Sequence, residues 1–249
     1  MNKNGSKLVL EHERMDVHKY ELPAICYSCE ARHRGMCGVL EEDELIELAR
    51  HSRQVVRRAG EQLISDSETI ESYASVMRGV VKLSKVLEDG RQQVVGLQFS
   101  PDFLGRLFGR QSAINADAAS EVELCRMPKS VVERMVAQNP ALEGRLLEQT
   151  LRELDEAREW MVTLGRKTAK EKVASFLYLI ATHKDPASNE NSTVFDLPLT
   201  RADIADFLGL TIETVSRQFT KLRASRIIEI ENHRHVLVAD MGRLKNSCG

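Results

Sequence analysis

Four of the five cysteines in this chain of 249 residues can be read as one set of soft donors. Cys26, Cys29 and Cys37 form a C-x2-C-x7-C cluster, and Cys125 stands far along the chain. Thiolates bind zinc or an iron–sulfur cluster, and four of them complete the coordination of either. The spacing alone does not choose between the two. Gly35 and Gly38 beside Cys37 would let the loop fold closely around a bulky group, and Arg32, His33 and Arg34 would offset the charge of ligated thiolates. His33 reads as a surface residue, because four cysteines already make a full set. The plainer alternative is three exposed thiols and a buried Cys125, since free cysteine is often a core residue. Cys248 reads as a free thiol in a polar tail.

A second constellation lies near the C-terminal end. Glu213, Ser216, Arg217 and Thr220 fall at i, i+3, i+4 and i+7, so on a helix they project from one face. Arginine can donate two hydrogen bonds to guanine, glutamate can accept from the cytosine amino group, and serine can bond several base edges. A bare carboxylate is repelled by phosphates, so Glu213 reads as a base reader or as the group that orients Arg217. The bland reading, a helical pair with a solvated charged face, leaves the coincidence of these residue types unexplained.

The elements that must hold these side chains are legible around them. Thr200 and Asp203 make a helix-capping pattern, Ile204, Ala205 and Leu208 face inward, and Gly209 permits a tight turn. Thr211 then caps a second helix with an apolar stripe of Ile212, Val215, Phe219 and Leu222, and Lys221 lies near the polar face. This is a helix-turn-helix over Thr200 to Ala224, and the first two turns of its second helix are the part that enters a major groove. A short strand at Thr193 to Leu197 precedes it. After it, Ile227 to Ile230 and Val236 to Val238 flank a turn and form a wing, with His233, Arg234 and His235 available for phosphates.

Upstream, Ser52 to Pro128 consists of short runs rich in Val, Ile and Leu, punctuated by turn signals. The clearest hairpin has Asp89-Gly90 between Val80 to Leu87 and Gln92 to Phe99. The segment predicts an antiparallel roll, with Cys125 at the end of a strand. Residues 14 to 40 look irregular, and Glu41 to Arg50 predicts a short amphipathic helix. A long helical stretch follows Pro128, breaks near Asn139-Pro140 and continues to Leu164. Leu147, Leu151, Leu154, Arg158 and Met161 recur in it with 4-3-4-3 spacing, a coiled-coil seam with one polar interruption at Arg158. Gly165-Arg166-Lys167 marks a hinge, Thr168 to His183 a further amphipathic helix, and Lys184 to Ser192 a polar loop.

The net charge of −2 is unevenly spread. From Arg166 onward there are 13 Lys and Arg against 10 Asp and Glu, and before it 22 against 27, which suits an acidic sensor joined to a nucleic-acid reader. The polar N-terminus has no apolar run of signal-peptide or membrane-span length. A cytoplasmic protein without membrane attachment is expected, in a compartment where stable disulfides do not form. There is no radical-type C-x3-C-x2-C, no glycine-rich phosphate loop and no nucleophile with a positioned base, so an enzyme is not expected.

The order of these parts resembles the FNR branch of the CRP/FNR regulator superfamily, from about Ile25 to Met241. The resemblance is carried by the four cysteines, with Cys125 in Glu121-Val-Glu-Leu-Cys-Arg-Met-Pro, and by Leu210-Thr-Ile-Glu-Thr-Val-Ser-Arg-Gln with its E-x-x-S-R pattern. Val94-Val-Gly-Leu, Asp155-Glu-Ala-Arg-Glu-Trp-Met and Leu164-Gly-Arg-Lys-Thr-Ala look like the alphaproteobacterial FnrL and FnrN type. The resemblance implies an α+β fold: a cysteine-rich segment at 1–50, a β-roll at 51–139, a dimerisation helix at 140–165 and a winged helix-turn-helix at 166–249. It implies an oxygen-labile 4Fe-4S cluster on Cys26, Cys29, Cys37 and Cys125, and a homodimer through Leu147, Leu151, Leu154, Arg158 and Met161. That dimer would bind double-stranded DNA at a TTGAT...ATCAA-type inverted repeat, through Glu213, Ser216 and Arg217 with Thr220, Thr200, Thr211 and Lys221 around them. The implied role is activation or repression of anaerobic or microaerobic genes, with RNA polymerase as a further partner. A family member using zinc or direct cysteine redox is the alternative. The x7 spacing between Cys29 and Cys37 is longer than in enteric members. The superfamily's cyclic-nucleotide branch has a glutamate and an Arg-Ser pair in its phosphate cassette; here Arg106 and Gln111-Ser112 stand there, so no cyclic nucleotide is expected.

Overall fold

The computed structural model describes residues 24–27, 29–184 and 191–249. The polar N-terminus and most of the loop expected from Lys184 to Ser192 lie outside these residues. The cysteine segment is more ordered than its sequence suggests: it folds into α1 (Ala24–Tyr27), α2 (Glu30–His33) and a 3-10 turn (Met36–Val39). Helices of four residues are too short to display a period. The amphipathic helix α3 (Glu42–His51) begins at a reciprocal Glu41 and Glu44 capping box and buries Leu45 and Leu48.

The expected roll is present as eight strands: β1 (Arg53–Arg57), β2 (Gln62–Ile64), β3 (Ser72–Arg78), β4 (Val81–Val86), β5 (Gln92–Gln98), β6 (Phe103–Leu104), β7 (Asn115–Ala118) and β8 (Val122–Pro128). They form two four-stranded antiparallel sheets, ordered β1-β8-β3-β6 and β2-β7-β4-β5. The β4–β5 hairpin turns at Asp89-Gly90, where Gly90 takes φ +85°. Alternation along β3 and β8 divides the first sheet. Ala74, Val76 and Leu124 face the roll interior, while Tyr73, Ser75, Cys125 and Met127 face outward. Tyr73 and Met127 pack there against Met36, Leu40, Leu45 and Leu48. Cys125 therefore lies within β8, not at a strand end, because the strand continues to Pro128.

Two helices follow, α4 (Lys129–Gln138) and α5 (Pro140–Arg166). Asn139 separates them: Pro140 suits a first helical position, and the Asn139 side chain accepts from the backbone N–H of Ala141 at 2.9 Å and of Leu142 at 3.0 Å. The chain continues through α6 (Ala169–Lys184), β9 (Thr193–Asp196), α7 (Arg201–Leu208), α8 (Ile212–Ala224), β10 (Ile228–Glu231), β11 (His235–Val238) and α9 (Met241–Asn246). The wing sheet is ordered β10-β11-β9. One core joins α6, α7, α8, the wing and Leu244 of α9, and it also takes in Val94 and Phe99 of the roll. No helix among the described residues is long and apolar enough to cross a membrane.

Candidate functional site

The helix-turn-helix is built by short-range rules. The Thr200 hydroxyl accepts from the Asp203 N–H at 3.1 Å, and the Asp203 carboxylate accepts from the Thr200 N–H at 3.2 Å. Gly209 ends α7 at φ +59°, a left-handed residue that sends the chain into α8. The Thr211 hydroxyl accepts from the Thr214 N–H at 3.2 Å. Val215, Phe219 and Leu222 are buried beneath α8, and Thr200, Thr211, Glu213, Ser216, Arg217, Thr220 and Lys221 are exposed. The structure thus brings Glu213, Ser216, Arg217 and Thr220 to one accessible face. Arg217 donates to Thr214 Oγ1 at 3.2 Å. The Glu213 carboxyl is held below its ordinary value, chiefly by the N–H groups at the helix start, and the charge of Arg217 also reaches it and lowers it.

Three details depart from the sequence reading. Ile212 is exposed, and Gln218 takes a buried place on the inward face, because α8 packs over α6 and α7 at an angle that periodicity does not set. Arg234 and His235 of the wing are committed within the fold: Arg234 donates to the Leu197 carbonyl at 3.1 Å, and His235 pairs with Asp196 at 2.9 Å. Only His233 at the wing tip keeps the freedom expected of all three. Arg201, not singled out in the sequence, stacks over the Phe219 ring at 3.4 Å and ties α7 to α8; burial lowers its pKa to about 10.

The roll meets this module directly. Lys82 of β4 pairs with Asp203 at 2.6 Å, and Gln93 of β5 donates to the Phe207 carbonyl at 3.2 Å. Lys172 of α6 donates to the next carbonyl, Leu208, at 3.2 Å, and Trp160 of α5 packs on Phe207 with ring centroids 4.4 Å apart. The two last carbonyls of α7 are therefore both satisfied from outside the helix. Burial alone would raise the Asp203 carboxyl; the bonds from Lys82 and Thr200 outweigh it and leave the pKa below the ordinary value.

The cysteines meet at the opposite side of the roll. Cys26, Cys29, Cys37 and Cys125 line one pocket, closed by Arg32, Leu45, Leu48, Ala49, Ser52 and Ser75. The pocket is narrow, about 20 Å³. Among the described residues no group of three or more His, Cys, Asp or Glu side chains is placed to hold a metal ion. Burial pushes the Cys26 thiol up, with Cys29 adding to the effect. Burial also raises Cys37, reinforced by Cys125, Cys29 and Cys26, and pushes Cys125 up to about 11. The thiols thus lie close enough to disfavour one another's ionisation. Gly38 sits in the close turn, where a Cβ would stand 3.2 Å from the carbonyl oxygens of Arg32 and His33, closer than ordinary contact. Arg32 is buried in the pocket wall, whereas His33 and Arg34 are exposed. Four soft sulfurs lining one pocket are a donor set whose chemistry suits zinc or an iron–sulfur group.

Cys248 is separate and is not in a polar tail. It follows α9, is half-buried against the C-terminal core, and its Sγ lies 3.3 Å from the Leu244 carbonyl oxygen. The roll interior holds a cavity of about 500 Å³ whose lining includes Arg57, Arg106, Ser112, Arg126 and Glu153. On α5, Leu147, Leu151, Leu154, Val162 and Met161 are between 43% and 70% exposed, an apolar stripe left uncovered among the described residues. Arg158 sits in this stripe and pairs with Asp155 of its own helix, at 3.0 Å.

A roll joined by a long helix to an exposed recognition helix defines a DNA-binding transcription regulator. Comparison with known proteins agrees. Residues 54–139 match the cyclic nucleotide-binding domain and residues 171–247 the Crp-like helix-turn-helix domain. The chain is 53% identical to a probable transcriptional activator of Rhizobium leguminosarum bv. viciae, over 93% of this chain and 98% of that one. It is 42% identical to the transcriptional activator protein FnrL of Cereibacter sphaeroides, over 92% and 95%. The structure of FixK2 from Bradyrhizobium japonicum superposes with a TM-score of 0.72 at 30% identity, over 80% of this chain and 98% of that one. The chain belongs to the CRP/FNR family of transcription regulators, on its FNR branch, and is a DNA-binding transcriptional activator rather than an enzyme.

Proposed function

We propose that this activator senses oxygen in the cytoplasm through a 4Fe-4S cluster held by Cys26, Cys29, Cys37 and Cys125. The observation that carries the proposal is that three thiols of the N-terminal segment and one of the roll line a single pocket. When bound, such a cluster supplies a centre that dioxygen oxidises and dismantles. The chain's own residues supply the coupling. Cys125 is fixed within a sheet, while Cys26 lies on α1, Cys29 just before α2 and Cys37 on the adjoining 3-10 turn, so their joint ligation staples that segment to the roll. Met36 and Leu40 of the segment share a core with Leu142 and Leu146, the buried foot of α5. Stapling the segment thereby sets the rotation of a helix whose far face carries Leu147, Leu151, Leu154 and Met161.

On this reading those four residues form the seam of a homodimer, and Arg158 makes the seam conditional. A two-fold dimer matches an inverted repeat of the TTGAT...ATCAA kind, read by Glu213, Ser216 and Arg217, with Thr220, Thr200, Thr211 and Lys221 near the backbone. Residues 51–139 act as the sensor, 140–165 as the dimer helix and 166–249 as the reader, and activation passes to RNA polymerase. The roll works without cyclic nucleotide, since Arg106 and Gln111-Ser112 stand where the phosphate cassette has its glutamate and Arg-Ser pair. The test is the visible spectrum of anaerobically purified protein, followed through air exposure together with its mass in solution. The expected result is broad iron–sulfur absorbance that bleaches as dimer becomes monomer. A protein that stays colourless after anaerobic reconstitution overturns the oxygen-sensing reading and puts zinc or thiol redox in its place.

A further inference from the structure

Ser75 occupies a singular place in the cysteine pocket. It lies in β3 directly across the ladder from Cys125, so the two side chains share a face of the sheet. Its residue is 1% exposed, and its Oγ has no hydrogen-bond partner among the described residues. A buried hydroxyl without a partner costs folding free energy, and a fold keeps one when something outside the apo chain completes it. Ser52, the other hydroxyl in the wall, donates to the Leu48 carbonyl at 2.7 Å and also lies in hydrogen-bonding reach of the Cys125 thiol, whose burial-raised pKa it lowers in part. Among the described residues, Ser75 is thus the hydroxyl of the pocket wall that makes no hydrogen bond of its own. A protonated thiol offers such a donor a weak acceptor, whereas a metal-ligated thiolate offers a strong one.

We propose that Ser75 is a positioning residue for the sensing group, donating its hydroxyl proton to the sulfur of Cys125 once that sulfur is a ligand. The role rests on the cluster reading above. A donor to a ligand sulfur draws electron density from it and so opposes loss of an electron to dioxygen, which makes Ser75 a determinant of oxygen tolerance.

The experiment uses the full chain, loaded anaerobically, as wild type, Ser75→Ala and Ser75→Thr. Three quantities are read: iron and sulfide per chain, the shift of the iron–sulfur stretching bands in the resonance Raman spectrum on transfer to deuterium oxide, and the rate of bleaching in air. Ser75→Ala is expected to load equal iron and sulfide, lose part of the deuterium shift and bleach about fivefold faster, the rate equivalent of one hydrogen bond of ordinary net strength. Ser75→Thr keeps the hydroxyl and should return towards the wild-type rate. If Ser75→Ala fails to load while Ser75→Thr loads, the hydroxyl is needed to hold the group and the role stands. Equal bleaching rates and equal deuterium shifts in wild type and Ser75→Ala overturn the role while leaving the cluster in place. A wild type that takes up no iron and sulfide overturns the cluster reading, and the role with it.

Discussion

Arg217 is exposed and donates to Thr214 through one guanidinium nitrogen, which leaves the rest of the fork to meet a guanine edge. Arg217→Ala should remove about 1–3 kcal/mol of discrimination at one base pair of each half-site while other positions keep their preferences. Competition binding against a set of single-base operator variants measures this, and a uniform loss across all variants would make Arg217 a phosphate contact instead. Thr200 acts on stability, because its hydroxyl satisfies a backbone donor at the start of α7. Thr200→Ala should cost about 1 kcal/mol in denaturant unfolding. Cys125 gives a pH signature. Burial raises its folded-state pKa from the ordinary thiol value of 9.0 to about 11, so folding favours the neutral thiol. That contribution is fully present below pH 9 and is lost as pH rises through 11. The urea midpoint of the reduced, metal-free protein should therefore fall over this interval more steeply in wild type than in Cys125→Ala, and parallel curves would contradict it.

Helix α5 has 27 residues and spans about 40 Å, and it was legible in the sequence because its seam and its Asn139-Pro140 start obey local rules. The same holds for α7 and α8, where caps, the turn glycine and a 3.6-residue period agree. What was not legible depends on packing. The helices of the cysteine segment have no period, Ile212 and Gln218 exchange places by the angle at which α8 lies on its neighbours, and Cys248 finds its surroundings only when α9 docks on α6. The meeting of four cysteines was suggested by residue type; that they meet on the outer face of the roll, beneath the foot of α5, required the strand register. For α5 the expected outcomes are opposite in sign. Leu154→Glu should leave a monomer at micromolar concentration in sedimentation, with weak binding to a full palindrome. Arg158→Leu should give a dimer that persists in air, since the pair Arg158 makes with Asp155 is exposed and within its own helix. A Leu154→Glu chain that still dimerises would move the seam elsewhere.

At the scale of the whole molecule, the roll and the helix-turn-helix module are joined twice: covalently through α5 and α6, and laterally through Lys82 and Gln93. The lateral contact is partly buried, with the Lys82 and Asp203 side chains 15% and 21% exposed, so its loss should be felt. Lys82→Ala is expected to destabilise the chain by about 1–2 kcal/mol and to raise amide exchange at the start of α7. Unchanged exchange there would mean that α5 alone holds the reader. This double attachment bears on how far the parts of the molecule can be traded. A reader taken from another regulator and spliced on after α5 would inherit the hinge but not the partners for Lys82 and Gln93, unless it also brought an acid at position 203 and a helix ending where α7 ends. Chimeras joined only at the hinge should bind their own operators yet respond poorly to the sensor, and restoring those two contacts is the repair to try first.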